Sequence, residues 1–161
     1  MDGLEGMLRM PGGCFEQTSS TVYPNVLVLD YLRRTGKSTP AIEARAKRYI
    51  NAGYQRLLTF EVPGNGFSWF GKAPANKVLT AYGLMEFHDM ARVHAVDRNV
   101  IRRTKAWLLR KQRKDGGWAL DRQNIHDGVV NNVASSRLRV TAYIANALAH
   151  VGHKGDRKSV V

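Results

Sequence analysis

Two distant stretches of this sequence follow one plan, and the plan restricts the fold more tightly than any composition figure. A segment with helical periodicity leads to Asn65-Gly66-Phe67-Ser68-Trp69 and then to Leu79-Thr80-Ala81-Tyr82. A second such segment leads to Gly116-Gly117-Trp118 and then to Val140-Thr141-Ala142-Tyr143. Each unit is a helix, a Gly-aromatic turn and a helix opened by Thr-Ala-Tyr. One unit alone cannot cover its apolar face, so neighbouring units have to stack. The expected fold is all-α, built from repeated helical hairpins.

Stripe spacing and caps predict the helix limits. Thr18 to about Arg34 reads as the first helix, with Val22, Val26, Leu29 and Leu32 or Arg33 on one face and Gly36 ending it. Ser38 or Thr39 caps the second, with Pro40 in its first turn. Its apolar face is Tyr49, Ile50, Gly53, Tyr54, Leu57 and Leu58, and Gly64-Asn65-Gly66 then breaks the chain. A third helix, from about Ala75 to Arg92, buries Leu79, Tyr82, Gly83, Phe87 and Met90. A fourth, from Asp97 to Arg113, turns Trp107 and Leu108 inward and stops at Asp115-Gly116-Gly117. Ser135-Ser136 caps a fifth that reaches about Val151. The 161 residues suit one domain with a real core, and 43% hydrophobic with 9% aromatic content is globular.

The chemistry concentrates near the N-terminus. Cys14 is the only cysteine, so an intrachain disulfide is excluded and the redox compartment cannot be read. Gln17 follows three positions later. On a turn entering a helix, side chains i and i+3 share a face and can touch. A thiolate beside a carboxamide can attack its carbon, expel ammonia and leave an internal thioester. That acyl group is stored in a strained, water-sensitive form for a later nucleophile. A lone cysteine without such a neighbour is ordinarily a small buried hydrophobe.

The stretch Leu8-Arg9-Met10-Pro11-Gly12-Gly13-Cys14-Phe15-Glu16-Gln17-Thr18 resembles the thioester motif of the alpha-2-macroglobulin and complement family. There the pattern is Pro, a short residue, Gly-Cys-Gly-Glu-Gln, then usually Asn or Thr. Phe15 stands where animal members carry Gly, although bacterial macroglobulins place a bulky apolar residue there. Thr18 is a minority choice. Neither departure touches the reacting atoms. The resemblance implies a motif of Gly13, Cys14, Phe15, Glu16 and Gln17 in which the Cys14 and Gln17 side chains are joined, and the bacterial type of macroglobulin fits it best. The Gly-Trp turns also resemble those of the alpha/alpha toroid shared by thioester domains, terpene cyclases and prenyltransferase subunits. In that ring one set of helices is inner and the other outer. The family's ring has more helices, which implies that residues 1–161 are about the N-terminal half of a thioester domain, a partial toroid. An open half-ring should expose apolar surface at its edge and favour self-association.

A second match lies far along the chain. Lys111-Gln112-Arg113-Lys114-Asp115-Gly116-Gly117-Trp118, followed by Asn124-Ile125-His126, resembles the family's segment of Lys-Gln, a charged pair and Asp-Gly that closes on His or Asn. His126 falls on that last position. In the His-bearing members the imidazole takes the acyl group from the exposed thioester and passes it to a hydroxyl, while the Asn-bearing members prefer amines. This is nucleophilic catalysis that splits one hard acyl transfer into two easier ones. The resemblance implies a protein that covalently traps or tags proteases or surfaces through their hydroxyl or amine groups, as an endopeptidase inhibitor or defence protein. It implies single-turnover transfer from Gln17 without cofactor or metal, other domains of a longer parent chain as partners, and an extracellular or periplasmic setting. The opening Met1-Asp2-Gly3-Leu4-Glu5 has no basic start or apolar run of a secretion signal, which leads us to expect a piece of a longer secreted chain.

Charge and composition weigh against other functions. The net charge of +12 is concentrated in Arg98, Arg102, Arg103, Lys105, Arg110, Lys111, Arg113 and Lys114. These alternate with Val100, Ile101, Trp107, Leu108 and Leu109, as on the solvated face of an amphipathic helix. With no nucleic-acid fold signature, that face is expected to be wet and not a nucleic-acid surface, and to attract anionic target surfaces. No stretch is long and apolar enough for a membrane span. A toroid enzyme of the terpene cyclase or prenyltransferase kind would need clustered aspartates or a zinc site, and the 13 acidic residues form no Asp-Asp-x-x-Asp run. His150 and His153 are three apart and could share a metal, but read more simply as a pair on a fraying helix end. The remaining alternative is a thiol acyltransferase that uses Cys14 as nucleophile and His126 as base.

Overall fold

The computed structural model describes residues 4, 6–121, 133 and 135–154. Among them lie five helices, α1 (Phe15–Arg34), α2 (Pro40–Leu58), α3 (Lys77–Met90), α4 (Arg98–Arg110) and α5 (Arg137–His150). Side-chain caps set four of the starts, each satisfying a backbone N–H that the helix cannot. Thr39 Oγ1 accepts from Ile42 N at 3.3 Å and Asn76 Oδ1 from Leu79 N at 2.9 Å. Asp97 Oδ1 accepts from Asn99 N at 2.8 Å and Ser136 Oγ from Arg139 N at 3.2 Å. The expected limits hold to within about three residues at each described end. One start moves: α1 opens at Phe15 and not Thr18, so the Cys-Gln pair belongs to the helix.

The break at Gly64-Asn65-Gly66 is a small antiparallel hairpin, which helical periodicity did not announce. Strands β1 (Glu61–Val62) and β2 (Gly66–Phe67) pair Glu61 with Phe67 and Val62 with Gly66. The repeat is visible in its hydrogen bonds. Phe67 N donates to Thr80 Oγ1 at 3.0 Å, and Trp118 N donates to Thr141 Oγ1 at 3.1 Å. Each Gly-aromatic turn is thus tied to the threonine that opens the next helix. A Cβ at Gly66 would sit 2.7 Å from the Trp107 ring, and one at Gly117 would sit 2.9 Å from the Arg137 guanidinium.

Helix α3 is the hub. It packs against α1, α4 and α5, while α2 packs against α1. Helices α1, α3 and α5 therefore lie side by side, with α2 behind α1 and α4 behind α3, the arrangement of stacked helical hairpins. Most of α3 is buried, including Val78, Leu79, Ala81, Leu84, Phe87 and Met90. Only its burial on several sides explains why its sequence shows a weak amphipathic signal. By contrast α4 buries Val100, Thr104, Trp107 and Leu108 and turns Arg98, Arg102 and Arg110 to solvent, the wet basic face expected of it.

Two acids sit inside on α3. Asp89 accepts from Tyr23 Oη of α1 at 2.6 Å and lies 2.9 Å from His150 Nε2 of α5, so one carboxyl pins three helices. That partnership replaces the fraying tail pair read from the sequence. Among the described residues no group of three metal-ligating side chains assembles. Glu86 is fully buried, and neither carboxyl oxygen has a hydrogen-bond partner among the described residues. Burial pushes its pKa up from 4.5 to about 8, with the nearby Ser19 hydroxyl of α1 opposing the shift.

A raised folded-state value means that the folded chain keeps a proton which the unfolded chain has lost between about pH 4.5 and about 8. Stability therefore falls across that window as pH rises, and the loss is complete above it. Glu86→Gln is expected to remove this part of the slope. Thermal unfolding at several pH values should show wild type losing ground to the variant as pH rises, whatever the other groups contribute to both.

Candidate functional site

Cys14 is the N-cap of α1, with extended backbone angles, and Gln17 is the third residue of the helix. The Gln17 carboxamide folds back and its Oε1 accepts from Cys14 N at 3.0 Å, the glutamine half of a capping box. The structure thus brings the two predicted reacting residues together. Cys14 is half-buried, packed against the edge of the core.

Gly13 makes this possible. Its φ is +82°, in the left-handed region, and a Cβ there would meet Gln17 Oε1 at 2.2 Å. The carboxamide lies over the bare glycine backbone. Thr18 secures the turn from inside, its Oγ1 donating to Gly12 O at 3.1 Å. From outside, Arg56 of α2 donates through Nε to Gly13 O at 2.9 Å and through a terminal nitrogen to the same oxygen.

Phe15 anchors the motif to the core. It is wholly buried, with ring centroids 5.3 Å from Phe67 and 6.1 Å from Phe60. It reaches Gly83 on α3, where a Cβ would stand 2.9 Å from Phe15 Cζ. Its backbone N donates to Trp69 O at 2.9 Å, while Trp69 Nε1 donates to Glu16 Oε2 at 3.3 Å. The motif residue that departs from the animal pattern therefore fixes the motif's position.

The segment leading toward His126 is also anchored. Gly116, at φ +79°, lets the chain turn so that Arg113 N donates to Gly117 O at 2.9 Å. Trp118 Nε1 donates to Leu108 O at 2.8 Å, and its ring is buried. Asp121 then accepts from Lys77 N at 2.7 Å and pairs with Lys77 Nζ at the start of α3. A groove of ≈ 510 Å³ is lined by Trp69, Phe70, Pro74, Lys77, Leu120 and Asp121. His126 itself lies outside the described residues.

Two supports of the site went unseen in the sequence. In the sequence Trp69 reads only as a repeat aromatic, although its carbonyl holds Phe15. Arg56 sits among other basic residues of an exposed helix face, and no spacing rule distinguishes it. Gly13→Ala should cost at least about 1 kcal/mol and push the carboxamide off Cys14 N. A lowered urea midpoint, together with loss of any bond between residues 14 and 17 in the intact mass, would be the result.

Comparison with known proteins agrees with this geometry. The family model for the A-macroglobulin TED domain matches residues 1–160. Ovostatin from Gallus gallus is 32% identical over 149 residues, 91% of this chain and 10% of ovostatin. The chain thus spans about a tenth of that relative's length. The structure of Salmonella alpha-2-macroglobulin reacted with methylamine is 26% identical, with a TM-score of 0.64 over 91% of this chain and 9% of that one. Native E. coli alpha-2-macroglobulin, from domain MG7 to its C-terminus, shares the fold at 22% identity, with a TM-score of 0.65 over 94% of this chain and 23% of that one. The family model covers nearly every residue and the relative is 32% identical along most of the chain: this chain belongs to the A-macroglobulin TED-domain family.

Proposed function

We propose that Cys14 Sγ and the side-chain carbonyl carbon of Gln17 form an internal thioester, and that the chain spends it once to acylate a target protein. The observation that carries this is the turn at 13–17. Gln17 is folded back over Gly13 with its carboxamide oxygen 3.0 Å from Cys14 N, so the carboxamide is held beside the only cysteine. Formation joins sulfur to carbon and releases the amide nitrogen as ammonia. A neighbouring domain of a longer parent chain shields the product from water until a trigger exposes it. His126 then takes the acyl group and passes it to a hydroxyl, or an amine attacks directly, leaving an ester or amide on Gln17.

Residues 1–161 would then be about half of the thioester domain. The biological outcome is covalent trapping or tagging of proteases or surfaces, outside the cytoplasm, in the manner of an endopeptidase inhibitor. The basic face of α4 suits an anionic target surface. Among the described residues no helix is long and apolar enough to cross a membrane.

Intact mass and thiol titration test the proposal. The chain as its gene encodes it should weigh one ammonia less than its sequence, show no free thiol, and release one thiol on treatment with methylamine. Cys14→Ala should restore the full mass and abolish conjugation to a target. His126→Asn should shift preference from hydroxyl toward amine acceptors. A free thiol with an intact Gln17 amide would return Cys14 to the role of an ordinary cysteine nucleophile or a packing residue.

A further inference from the structure

The carbonyl of Gly13 and the N–H of Cys14 belong to one peptide unit, and the structure engages both ends of it. On the oxygen side the Arg56 guanidinium donates twice, with Nε at 2.9 Å. The same guanidinium carbon lies 5.6 Å from the centre of the Phe60 ring, a second attachment for the cation. On the hydrogen side the N–H donates to Gln17 Oε1 at 3.0 Å. A cation bonded to a carbonyl oxygen draws electron density through the amide and makes its N–H a stronger donor. Linked hydrogen bonds strengthen one another by about 10–30% each, and charge-assisted ones are roughly twice as strong as neutral ones.

We infer that the N–H of the 13–14 peptide is the oxyanion donor for acyl transfer at Gln17, and that Arg56 is a positioning residue acting through it. The inference rests on the thioester proposed above. When the Cys14 thiolate adds to Gln17 Cδ, the carbonyl π pair moves to Oε1. Negative charge then appears on the atom that the N–H already holds. Collapse restores the carbonyl, leaves the new C–S bond and expels Nε2, which takes up the thiol's proton and departs as ammonia. When an amine later attacks, the same oxygen charges again. The C–S bond breaks, sulfur leaves as thiolate, and the surplus amine proton passes to it or to solvent.

Preorganised donors of this kind act where charge develops, and losing one outright typically slows acyl transfer about 10²–10³-fold. Removing Arg56 leaves the N–H in place but less polarised, so a smaller effect follows. Thr18 Oγ1 stands 3.4 Å from Gly13 O and still ties the turn, which separates polarisation from simple tethering.

The test compares Arg56→Lys and Arg56→Gln with wild type in the chain as its gene encodes it. Thioester content comes from intact mass, the methylamine rate from thiol release, and stability from the melting temperature. The Gln variant should react with methylamine about two- to sevenfold more slowly. The Lys variant should recover most of that rate, with melting temperatures close to wild type in both. Cys14 is the only cysteine among these 161 residues, so nitrogen-15 cysteine labelling, with Cys14→Ser to assign the signal, reports its amide. Its proton resonance should move upfield in the Gln variant, and this reads out even where the thioester yield is low. Equal methylamine rates, an unmoved amide resonance, or slowing that follows lost melting temperature without rescue by lysine would each overturn the role of Arg56. Wild type lacking a thioester would overturn the underlying proposal instead, an outcome distinguishable by mass alone.

Discussion

The position of the Cys-Gln turn depends on Phe15. Full burial of a phenylalanine side chain contributes about 1.5–3 kcal/mol, and its backbone bond to the Trp69 carbonyl adds about 1 kcal/mol. The exposed bond between Gln17 and Cys14 N is worth no more than about 1 kcal/mol. The anchor therefore outweighs the Gln17–Cys14 bond in deciding where α1 begins. A ring wedged between Phe60, Phe67 and Gly83 leaves the turn little room to shift. In this chain the motif is continuous with the core, whereas a glycine at the same position could supply no such hold.

Much of the fold was legible because its signals are local. Thr39, Asn76, Asp97 and Ser136 cap helices as short polar side chains do, and the stripes of α1, α2 and α4 are buried as their spacing demands. The repeat was visible as residue types, and the hydrogen bonds of Phe67 and Trp118 to Thr80 and Thr141 give its physical reason. What escaped the sequence is non-local. Helix α1 starts early because Phe15 is pulled inward by residues more than forty positions away, not because Cys14 favours a cap. Arg56 looks like any solvated arginine until its distance to Gly13 is known. Glu86 sits on a helix buried on several faces, where a single polar residue carries no periodic signature. The nearness of Cys14 and Gln17 was legible from spacing, while the residues that hold their turn were not.

The interior of the helical stack also sets the charge that the surface presents. Thirteen acids balance twenty-five lysines and arginines in the formal count of +12. Glu86 is buried and held protonated well past the usual carboxylate range, so at neutral pH its charge is largely missing from that count. Asp89 spends its charge inside, on Tyr23, His150 and Arg92. Several remaining acids are tied to arginines, as Glu61 is to Arg103 and Glu43 to Arg33, pairs that neutralise charge locally but stabilise little when exposed. Those pairs leave the net charge unchanged, and it is the neutral, buried Glu86 that makes the outer face more basic than the composition alone conveys, with α4 as its densest part. A steering field of that sign acts before contact, and it weakens as salt is added.

The capping geometry bears on why a thioester at this position need not unravel the helix beneath it. A helix N-terminus with an unsatisfied first turn frays. Here the cap is the Gln17 carbonyl oxygen, accepting from Cys14 N. In the proposed reaction that oxygen survives: the nitrogen leaves, sulfur takes its place, and the carbonyl still faces the same N–H. The cap is kept before and after bond formation, so closing the ring asks for little rearrangement of α1. The polarised peptide that would ease bond formation would ease aminolysis equally, since both pass through charge on one oxygen. A store of acyl groups built this way cannot be protected by its own chemistry. Its lifetime has to come from excluding water and nucleophiles, and the half-buried setting of Cys14 leaves part of that exclusion to whatever surface lies over the turn.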